Sequence, residues 1–131
     1  MKKVLFVCVE NAGRSQMAEA FAKMYGKGKV EAMSAGTMPA QEVNPRVVQV
    51  MREKGVDLSI SKPKLVTNQM VQDADMIIVM GCSASGFCPA PLLPKVKDWG
   101  IEDPKGKPME KIRGIRDEIE NRVRLLINEA D

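Results

Sequence analysis

Histidine is absent from the 131-residue sequence, and its absence excludes several kinds of chemistry. A histidine general base, a Ser-His-Asp triad, a phosphohistidine and any zinc site with a histidine ligand are all ruled out. Aromatic residues are also few, at 4% of the chain. Any proton transfer that the protein catalyses must therefore use carboxylates or thiols.

A strong excess of charge is missing as well. The chain has 20 basic and 17 acidic residues, and the net charge of +3 is too small to indicate nucleic acid or a membrane surface as a partner. Hydrophobic residues make up 44% and charged residues 28%, as in an ordinary globular protein. The length then predicts a single domain, residues 1–131, with one core.

Long apolar runs do not occur. The N-terminal run Val4–Val9 has six residues and stops at Glu10, whereas a secretory signal needs roughly 7–15 apolar residues. No run approaches the roughly 20 residues of a membrane span. The three cysteines are an odd number and do not suggest a disulfide framework. We therefore expect a cytoplasmic protein whose thiols stay reduced.

Buried strands and amphipathic helices alternate along the chain. Short apolar runs predict strands at Val4–Val9 and Met76–Met80, and we expect a further strand at Val30–Ala35 and a brief fourth one near Lys95–Trp99. Helical spacing predicts a helix that stops at Gly26, one from Asn44-Pro45 to Gly55, a short one capped by Thr67, and one that opens near Pro108. This alternation indicates an α/β fold. We expect a four-stranded parallel sheet in the order 2-1-3-4 with helices on both faces.

The turn after the first strand carries the first candidate site. It reads Cys8-Val9-Glu10-Asn11-Ala12-Gly13-Arg14-Ser15, so a cysteine ends a buried strand and an arginine opens a helix. The amides of residues 9–14 can point inward, and together with the positive end of the helix they would bind a tetrahedral oxyanion. Arg14 offers a planar fork to two oxygens of that anion. The same field favours the thiolate of Cys8 as a nucleophile.

Two residues of this loop have particular requirements. Gly13 either takes a positive φ or lets the backbone approach a neighbour closely. Glu10 places a carboxylate in a loop that binds anions, so we expect its side chain to point outward. The alternative interpretation of the motif is a structural cysteine beside a surface arginine. The predicted substrate contacts are Val9, Glu10, Asn11, Ala12, Gly13, Arg14 and Ser15.

Two further cysteines follow the third predicted strand. Cys82 stands at that strand's carboxyl end, and Cys88 comes six positions later among small residues. In a 2-1-3-4 sheet the first and third strands are neighbours, so Cys8 and Cys82 would face each other across the ligand-binding crevice. One alternative is a pair of ordinary core thiols. A zinc site would need a carboxylate as its fourth ligand, and the sequence has no Cys-x-x-Cys spacing, so no metal is predicted.

Asp103 is the candidate general acid. It precedes Pro104 in a loop after the fourth predicted strand, on the carboxyl side of the sheet, and the proline stiffens that loop. Taken alone, an Asp-Pro pair indicates only a turn. With histidine absent, a carboxylate beside the Cys8 loop is the natural proton donor.

Together these motifs resemble the thioredoxin-coupled arsenate reductases, which share the fold of the low-molecular-weight protein tyrosine phosphatases. The resemblance covers nearly the whole chain. It is carried by the Cys8 to Arg14 spacing with Asn11, and by Ser15-Gln16-Met17-Ala18-Glu19, Ser34-Ala35-Gly36, Cys82-Ser83, Cys88-Pro89 and Trp99-Gly100 ahead of Asp103-Pro104.

The resemblance implies a role for each residue of the Cys8 loop. Cys8 would be the nucleophile, Arg14 the oxyanion clamp and Asp103 the general acid. Asn11 would shape the loop, and Ser15 would support the Cys8 thiolate.

It also implies how electrons reach the site. Cys82 and Cys88 would form a disulfide relay that a thioredoxin-like reductant recycles. The resemblance therefore implies a thiol electron donor and no cofactor. Some of these reductases bind a potassium ion, for which Glu19 and Ser34 would serve. Lys62 and Lys64 fall about where further ligands are expected, so we do not predict a potassium site.

Two alternatives remain at this point. A low-molecular-weight phosphatase would use Cys8, Arg14 and Asp103 alone. Against it, Gln16 stands where phosphatases usually have proline, and Lys105 stands where they often have an aromatic residue. The second alternative is a non-catalytic anion-binding or thiol-sensing module, which would hold arsenate without turnover.

Overall fold

A computed structural model describes residues 1–80 and 95–129 of the protein. The strands are β1 (Lys2–Cys8), β2 (Val30–Gly36), β3 (Met76–Val79) and β4 (Val96–Asp98). The helices are α1 (Arg14–Tyr25), α2 (Pro45–Arg52), α3 (Asn68–Asp73) and α4 (Met109–Glu129). As the sequence predicts, helices separate the first three strands, with α1 between β1 and β2 and both α2 and α3 between β2 and β3.

The strands form one parallel sheet in the order β2-β1-β3-β4. In register, Cys8 of β1 lies opposite Gly36 of β2, and Val7 lies opposite Val79 of β3. The carboxyl ends of these three strands therefore meet at one edge of the sheet. The predicted order 2-1-3-4 is confirmed. β1 lies between β2 and β3, so the later strands are added on both sides of it.

Alternate residues of β1 point to opposite faces of the sheet and enter two apolar clusters. Val4 and Phe6 pack with residues of α1, α2 and α4. Leu5 and Val7 pack on the other face with β3 and the segment around α3. A strand covered on both faces gives a continuous apolar run instead of an alternating one. Helices on both faces of the sheet are confirmed.

Strand boundaries differ from the predicted ones at both ends of β1. Lys2 and Lys3 pair in register with β2 although their side chains are exposed, so charged residues extend the strand beyond its apolar part. Val9 is not in the strand, because its carbonyl accepts from the amide of Met38 where the chain bends into the next loop. β4 is confined to Val96–Asp98, inside the predicted range.

The predicted helix caps are present. The side chain of Asn44 accepts a hydrogen bond from the amide of Arg46 at 3.0 Å, and Thr67 accepts one from Met70 at 3.1 Å. Each bond satisfies an amide that the first helical turn leaves without a partner. α4 begins directly after Pro108, as expected. Within residues 1–80 and 95–129, no helix is long and apolar enough to cross a membrane.

Candidate active site

The candidate nucleophile stands where β1 ends between its two neighbours. Cys8 is the last residue of β1 and is buried, and α1 begins at Arg14. The five residues between them, 9–13, form what we call the anion loop. Open parallel sheets bind ligands at the point where the strand order reverses, and β1 marks that point here.

The carbonyls of this region point away from the space above Cys8. They accept hydrogen bonds from amides of residues 37–44 and from the next turn of α1. The bonds are Thr37 N to Cys8 O (3.2 Å), Met38 N to Val9 O (2.7 Å), Ala40 N to Glu10 O (2.9 Å), Asn44 N to Ala12 O (2.8 Å) and Met17 N to Gly13 O (2.9 Å). In a trans peptide the N–H points opposite to the C=O. The amides of residues 9, 10, 11, 13 and 14 therefore face inward and can bind an anion.

Asn11 fixes the shape of the anion loop. It takes a φ of +51°, which asparagine tolerates better than most residues. Its Oδ1 accepts from Gln16 Nε2 at 3.0 Å and from the Lys64 amide at 2.9 Å, and its Nδ2 donates to Ser15 Oγ at 2.6 Å. These bonds hold the side chain on both sides, so the left-handed conformation is kept.

Gly13 serves close packing and not a positive φ. The structure gives it a φ of −147°, so the positive φ offered as one of two options in the sequence analysis is wrong for this residue. A Cβ at Gly13 would lie 3.0 Å from Pro104 Cγ. Gly36 is under a tighter constraint, because a Cβ there would lie 2.6 Å from the carbonyl oxygen of Val9. Glycine at these two positions lets the surrounding chain close around the anion loop.

Two groups lie within hydrogen-bond distance of the Cys8 sulfur. The amide of Asn11 donates to Cys8 Sγ at 3.2 Å, and Ser15 Oγ lies 2.8 Å from the same sulfur. Ser15 Oγ already accepts from Asn11 Nδ2, which can only donate, so the serine proton is free to point at the sulfur. The Asn11 amide and the Ser15 hydroxyl can thus both donate to the sulfur.

Arg14 connects the anion loop to the ends of β3 and β4. Its Nη1 donates to the carbonyls of Met80 at 2.5 Å and Ile101 at 2.8 Å, and its side chain is 9% exposed. Its Nη2 lies 3.8 Å from Asp103 Oδ2. Because Nη1 is held by carbonyls, a bidentate grip on an anion would use the Nε and Nη2 edge.

Asp103 shares an open cleft of about 220 Å³ with Cys8 and Arg14. Its side chain is 58% exposed, and its Oδ1 accepts from the amide of Lys105 at 3.0 Å. We call residues 101–107 the acid loop. The structure thus brings three sequence-predicted residues together, one from each of β1, α1 and the acid loop.

Glu10 is among the residues that line the cleft. Its side chain is 39% exposed, and its Oε1 lies 3.0 Å from Lys105 Nζ. The hydrogen bond to Glu10, and then the charge of Glu10, raise the pKa of Lys105. The acid loop therefore supplies a cation beside this carboxylate, and the outward direction of the Glu10 side chain stays a prediction.

Part of the cleft wall consists of residues that the sequence motifs do not indicate. Glu42, Asn44 and Pro45 line it from the start of α2, and Lys105 lines it from the acid loop. The sequence does mark Asn44-Pro45 as a helix cap. No local signal places that cap beside Cys8, because the Asn44 amide reaches Ala12 only through the tertiary fold.

Glu19 and Ser34 do lie together, but their surroundings do not suit a potassium ion. Ser34 Oγ donates to Glu19 Oε1, Lys23 Nζ lies 2.6 Å from Glu19 Oε2, and Lys64 Nζ lies 3.8 Å from Glu19 Oε1. Two ammonium groups already balance the single carboxylate, and a further cation would meet their repulsion.

Cys82 and Cys88 lie outside the described residues, so their placement relative to Cys8 stays a prediction. Among the described residues, Cys8 is a free thiol. Within the same ranges, no cluster of three acidic or cysteine side chains could hold a metal ion.

The model of one protein family matches residues 3–131, and it is described as low molecular weight phosphotyrosine protein phosphatase. The chain belongs to this family. Named relatives within it are arsenate reductases. A Halobacterium salinarum protein, provisionally named an arsenate reductase, is 43% identical over 95% of this chain and 89% of its own length. A Synechocystis glutaredoxin arsenate reductase is 38% identical over 97% of each chain.

Solved structures of the family superpose over nearly the whole chain. An arsenate reductase in the phosphate-binding state is 36% identical, covers 100% of both chains and has a TM-score of 0.85. A thioredoxin-dependent arsenate reductase from Corynebacterium glutamicum is 38% identical, with a TM-score of 0.81, over 99% of this chain and 62% of that one. An arginine phosphatase from Geobacillus stearothermophilus is 27% identical, with a TM-score of 0.84, over 98% and 92%.

Proposed function

We propose that this protein reduces arsenate to arsenite, with Cys8 as nucleophile and Cys82 and Cys88 as a disulfide relay. The observation that carries the proposal is the cleft, where a sulfur with two hydrogen-bond donors stands among inward amides and beside Arg14. The relatives named as arsenate reductases support the same reaction. Arsenate and phosphate are both tetrahedral oxyanions, so either would fit the anion loop.

The first step forms a bond between sulfur and arsenic. The thiolate of Cys8 attacks arsenic(V), and one oxygen leaves as water after it is protonated. Asp103 is the proposed proton donor, because it lines the same cleft and lies beside Arg14. Arg14 and the inward amides hold the remaining oxygens and stabilise the charge that develops on them.

The second step transfers two electrons to arsenic. The thiolate of Cys82 attacks the sulfur of Cys8, and the electron pair of the sulfur–arsenic bond stays on arsenic, which leaves as arsenite. Cys88 then attacks Cys82, which frees the thiolate of Cys8 and leaves a disulfide between Cys82 and Cys88. A dithiol donor reduces that disulfide by the same exchange.

The electron donor is the finer part of the proposal. We infer a thioredoxin-like reductant, because a disulfide between two cysteines of one chain is a substrate for dithiol exchange. The similar proteins include one named thioredoxin-dependent and one named a glutaredoxin enzyme, so the donor requires a direct test. The relay also needs a compartment that keeps thiols reduced, which supports the cytoplasm as its location.

Arsenite formation with separate donor systems tests the proposal. Wild-type protein is assayed with thioredoxin, thioredoxin reductase and NADPH, and in parallel with glutathione and glutaredoxin. We expect turnover with the thioredoxin system and none with Cys8→Ser, whose thermal unfolding should match that of wild type. Turnover with glutaredoxin alone would reassign the donor and leave the reaction itself in place.

Mass spectrometry after one turnover separates the relay from simpler schemes. Wild type should carry a disulfide between Cys82 and Cys88, and Cys88→Ser should stop with Cys8 linked to Cys82. Sustained turnover by Cys82→Ser would contradict the relay.

Phosphoester hydrolysis is the second candidate, because it needs only Cys8, Arg14 and Asp103, and the family description favours it. The described residues that line the cleft include no aromatic side chain to stack on a phosphotyrosine ring. An aryl phosphate assay beside the arsenate assay compares the two. Efficient hydrolysis without arsenite formation would replace the reductase proposal.

A further inference from the structure

Glu10 is placed where a carboxylate is unfavourable for anion binding. It is among the residues that line the cleft that Cys8 occupies, and its carboxylate pairs with Lys105, another of them. It also belongs to the anion loop, so an oxyanion held by the inward amides comes near it. Like charges at short range repel, and water screens them only in part. Something else in the cleft must offset this penalty if anions are to bind.

Lys105 supplies the opposite charge. Its Nζ lies 3.0 Å from Glu10 Oε1, although the two residues are 95 positions apart. The pair exists because the acid loop packs onto the anion loop, where Pro104 lies against Gly13. Glu10 raises the pKa of Lys105, chiefly through the hydrogen bond, and Asp103 acts in the same direction. The ammonium therefore stays charged throughout the neutral range.

Exposure argues against a purely stabilising role for this pair. The side chains of Lys105 and Glu10 are 68% and 39% exposed, and ion pairs of that kind add little to stability. The acid loop has other pairs, since Glu102 lies 3.5 Å from Lys107 and 3.2 Å from Lys111. Neither Lys107 nor Lys111 is among the described residues that line the cleft. The pair of Glu10 and Lys105 thus differs from these other ion pairs because both of its members line the cleft.

We propose that Lys105 sets the anion affinity of the cleft by neutralising Glu10. It is a positioning residue that acts through Glu10 and makes no contact of its own with the reacting atoms. The proposal deepens the function proposed above, because it concerns how arsenate enters the same site. The charge argument applies to any tetrahedral oxyanion, so inorganic phosphate can test it without turnover.

Two alkylating reagents of similar size but different charge measure the effect directly. Iodoacetate is an anion and iodoacetamide is neutral, and both transfer their carbon to a thiolate with loss of iodide. Modification of Cys8 is quantified on its own peptide by mass spectrometry, which separates it from Cys82 and Cys88. The ratio of the two rates reports the charge that an anion meets at the cleft.

The three variants of the pair have distinct expectations. Lys105→Met leaves Glu10 unpaired and should lower the ratio of iodoacetate to iodoacetamide rates by roughly 3- to 10-fold. Glu10→Gln should raise it, and the double variant should return close to wild type. The Kd of inorganic phosphate, measured as protection of Cys8 from iodoacetamide, should be weakened by a similar factor in Lys105→Met and restored in the double variant.

A matched control lies two positions away. Lys107→Met removes a lysine charge from the same loop but outside the cleft, and it should leave the ratio and the phosphate Kd within about twofold of wild type. At about 1 M salt the Debye length falls to about 3 Å, so differences in the ratio that arise from charge should shrink. Differences caused by a distorted loop would persist.

Two outcomes would overturn the proposal. Either Lys105→Met keeps the wild-type ratio, or the double variant stays as impaired as Lys105→Met. Neither measurement uses arsenate turnover. A failure of the reductase proposal would appear as missing arsenite with the charge ratios unaffected, so the two failures are distinguishable.

Discussion

The two loops that meet at the cleft are held in place by different kinds of interaction. In the anion loop, backbone carbonyls bond to backbone amides, and Asn11 is fully buried. In the acid loop, exposed side chains form most of the connections. They include Glu102 with Lys107 and Lys111, Lys105 with Glu10, and Arg46 Nη1 with the carbonyl of Lys107 at 2.9 Å.

This difference separates what is fixed from what can be adjusted. The surroundings of the Cys8 sulfur are set by backbone geometry, so a change there disturbs several hydrogen bonds together. The acid loop carries the proposed proton donor on an exposed turn, where single ion pairs are weak and can be replaced one at a time. We therefore expect substitutions anywhere in the anion loop to lower activity. In the acid loop, mainly substitutions of Asp103 should do so.

The largest expected effect isolates Asp103 within the acid loop. Asp103→Asn removes the proposed proton donor and should slow the first chemical step by roughly 10²–10⁴-fold. The neighbouring Glu102→Gln removes an acidic group that faces Lys107 and Lys111 instead of Cys8, and it should change the rate by less than about threefold. Single-turnover formation of the Cys8 adduct, followed by rapid quench, measures both. Equal losses in the two variants would assign the role to the charge of the loop and not to Asp103.

The second prediction tests the rigidity of the anion loop's surroundings. Gly36→Ala places a Cβ 2.6 Å from the Val9 carbonyl oxygen and 2.9 Å from the Asn11 amide nitrogen, so the loop must shift. We expect a loss of stability of about 1–3 kcal/mol and a loss of activity of more than about tenfold. Urea unfolding and arsenite formation measure the two effects.

A matched glycine lies in α4. Gly114 is exposed and a Cβ there meets nothing within 4 Å, so Gly114→Ala should stabilise the protein by roughly 0.5–1 kcal/mol and leave activity unchanged. A Gly36→Ala variant as stable and active as Gly114→Ala would show that the anion loop is more pliable than its hydrogen bonds indicate.

The third prediction concerns the donor to the sulfur. Ser15→Ala removes the hydroxyl 2.8 Å from Cys8 Sγ and also the acceptor of the Asn11 side chain. The loss of one hydrogen bond to a charged sulfur should slow alkylation of Cys8 by iodoacetamide about tenfold at neutral pH. Ser61→Ala, outside the cleft, serves as the control. An unchanged rate in Ser15→Ala would leave the Asn11 amide as the sulfur's effective donor.

The smallest expected effect concerns the ion pairs of Glu53, which lie outside both loops. Their loss should lower the free energy of unfolding and leave activity unchanged. Arg113 and Arg116 of α4 bond to Glu53 after α2, at 2.9 Å and 2.7 Å for the shortest contacts. The hydrogen bond from Arg113, then that from Arg116, lowers the pKa of Glu53 from 4.5 to about 2. A depressed folded-state pKa means that the stabilisation is complete above the unfolded value and is lost as pH falls through the folded value.

Urea unfolding of wild type and Glu53→Gln at several pH values measures this contribution. The free energies of unfolding should differ most above pH 4.5, converge as the pH falls toward 2, and coincide below it. Activity at neutral pH should be equal in the two proteins. A difference that does not change with pH would mean that Glu53 acts through packing and not through its charge.

Local sequence was enough to predict most of the fold. Apolar runs located the strands, and Asn44 and Thr67 were identified as caps because a side-chain oxygen beside the first free amides is a local interaction. The parallel arrangement of the sheet followed from the alternation of strands and helices. Boundaries were less accurate. Lys2 and Lys3 join β1 through backbone pairing with β2, which their charged side chains do not reveal.

The candidate site was predicted as a set of residues but not as a geometry. The spacing of Cys8 and Arg14 pointed to an anion loop, and the resemblance it carried is confirmed by the family that matches the chain. The ion pair of Glu10 with Lys105 was not predicted, because the two residues are distant in sequence. The positive φ fell at Asn11 and not at Gly13, since the side-chain bonds of Asn11 are what hold that conformation.

The sequence by itself determined the elements and the position of a candidate nucleophile, Cys8, at the end of a buried strand. Those features depend on residue type and on neighbours within one turn or one strand. Only the tertiary structure decided which charges face one another across the cleft. Arg14 meets the carbonyls of Met80 and Ile101, and Glu10 meets Lys105, because the parallel sheet gathers the ends of distant strands at one edge.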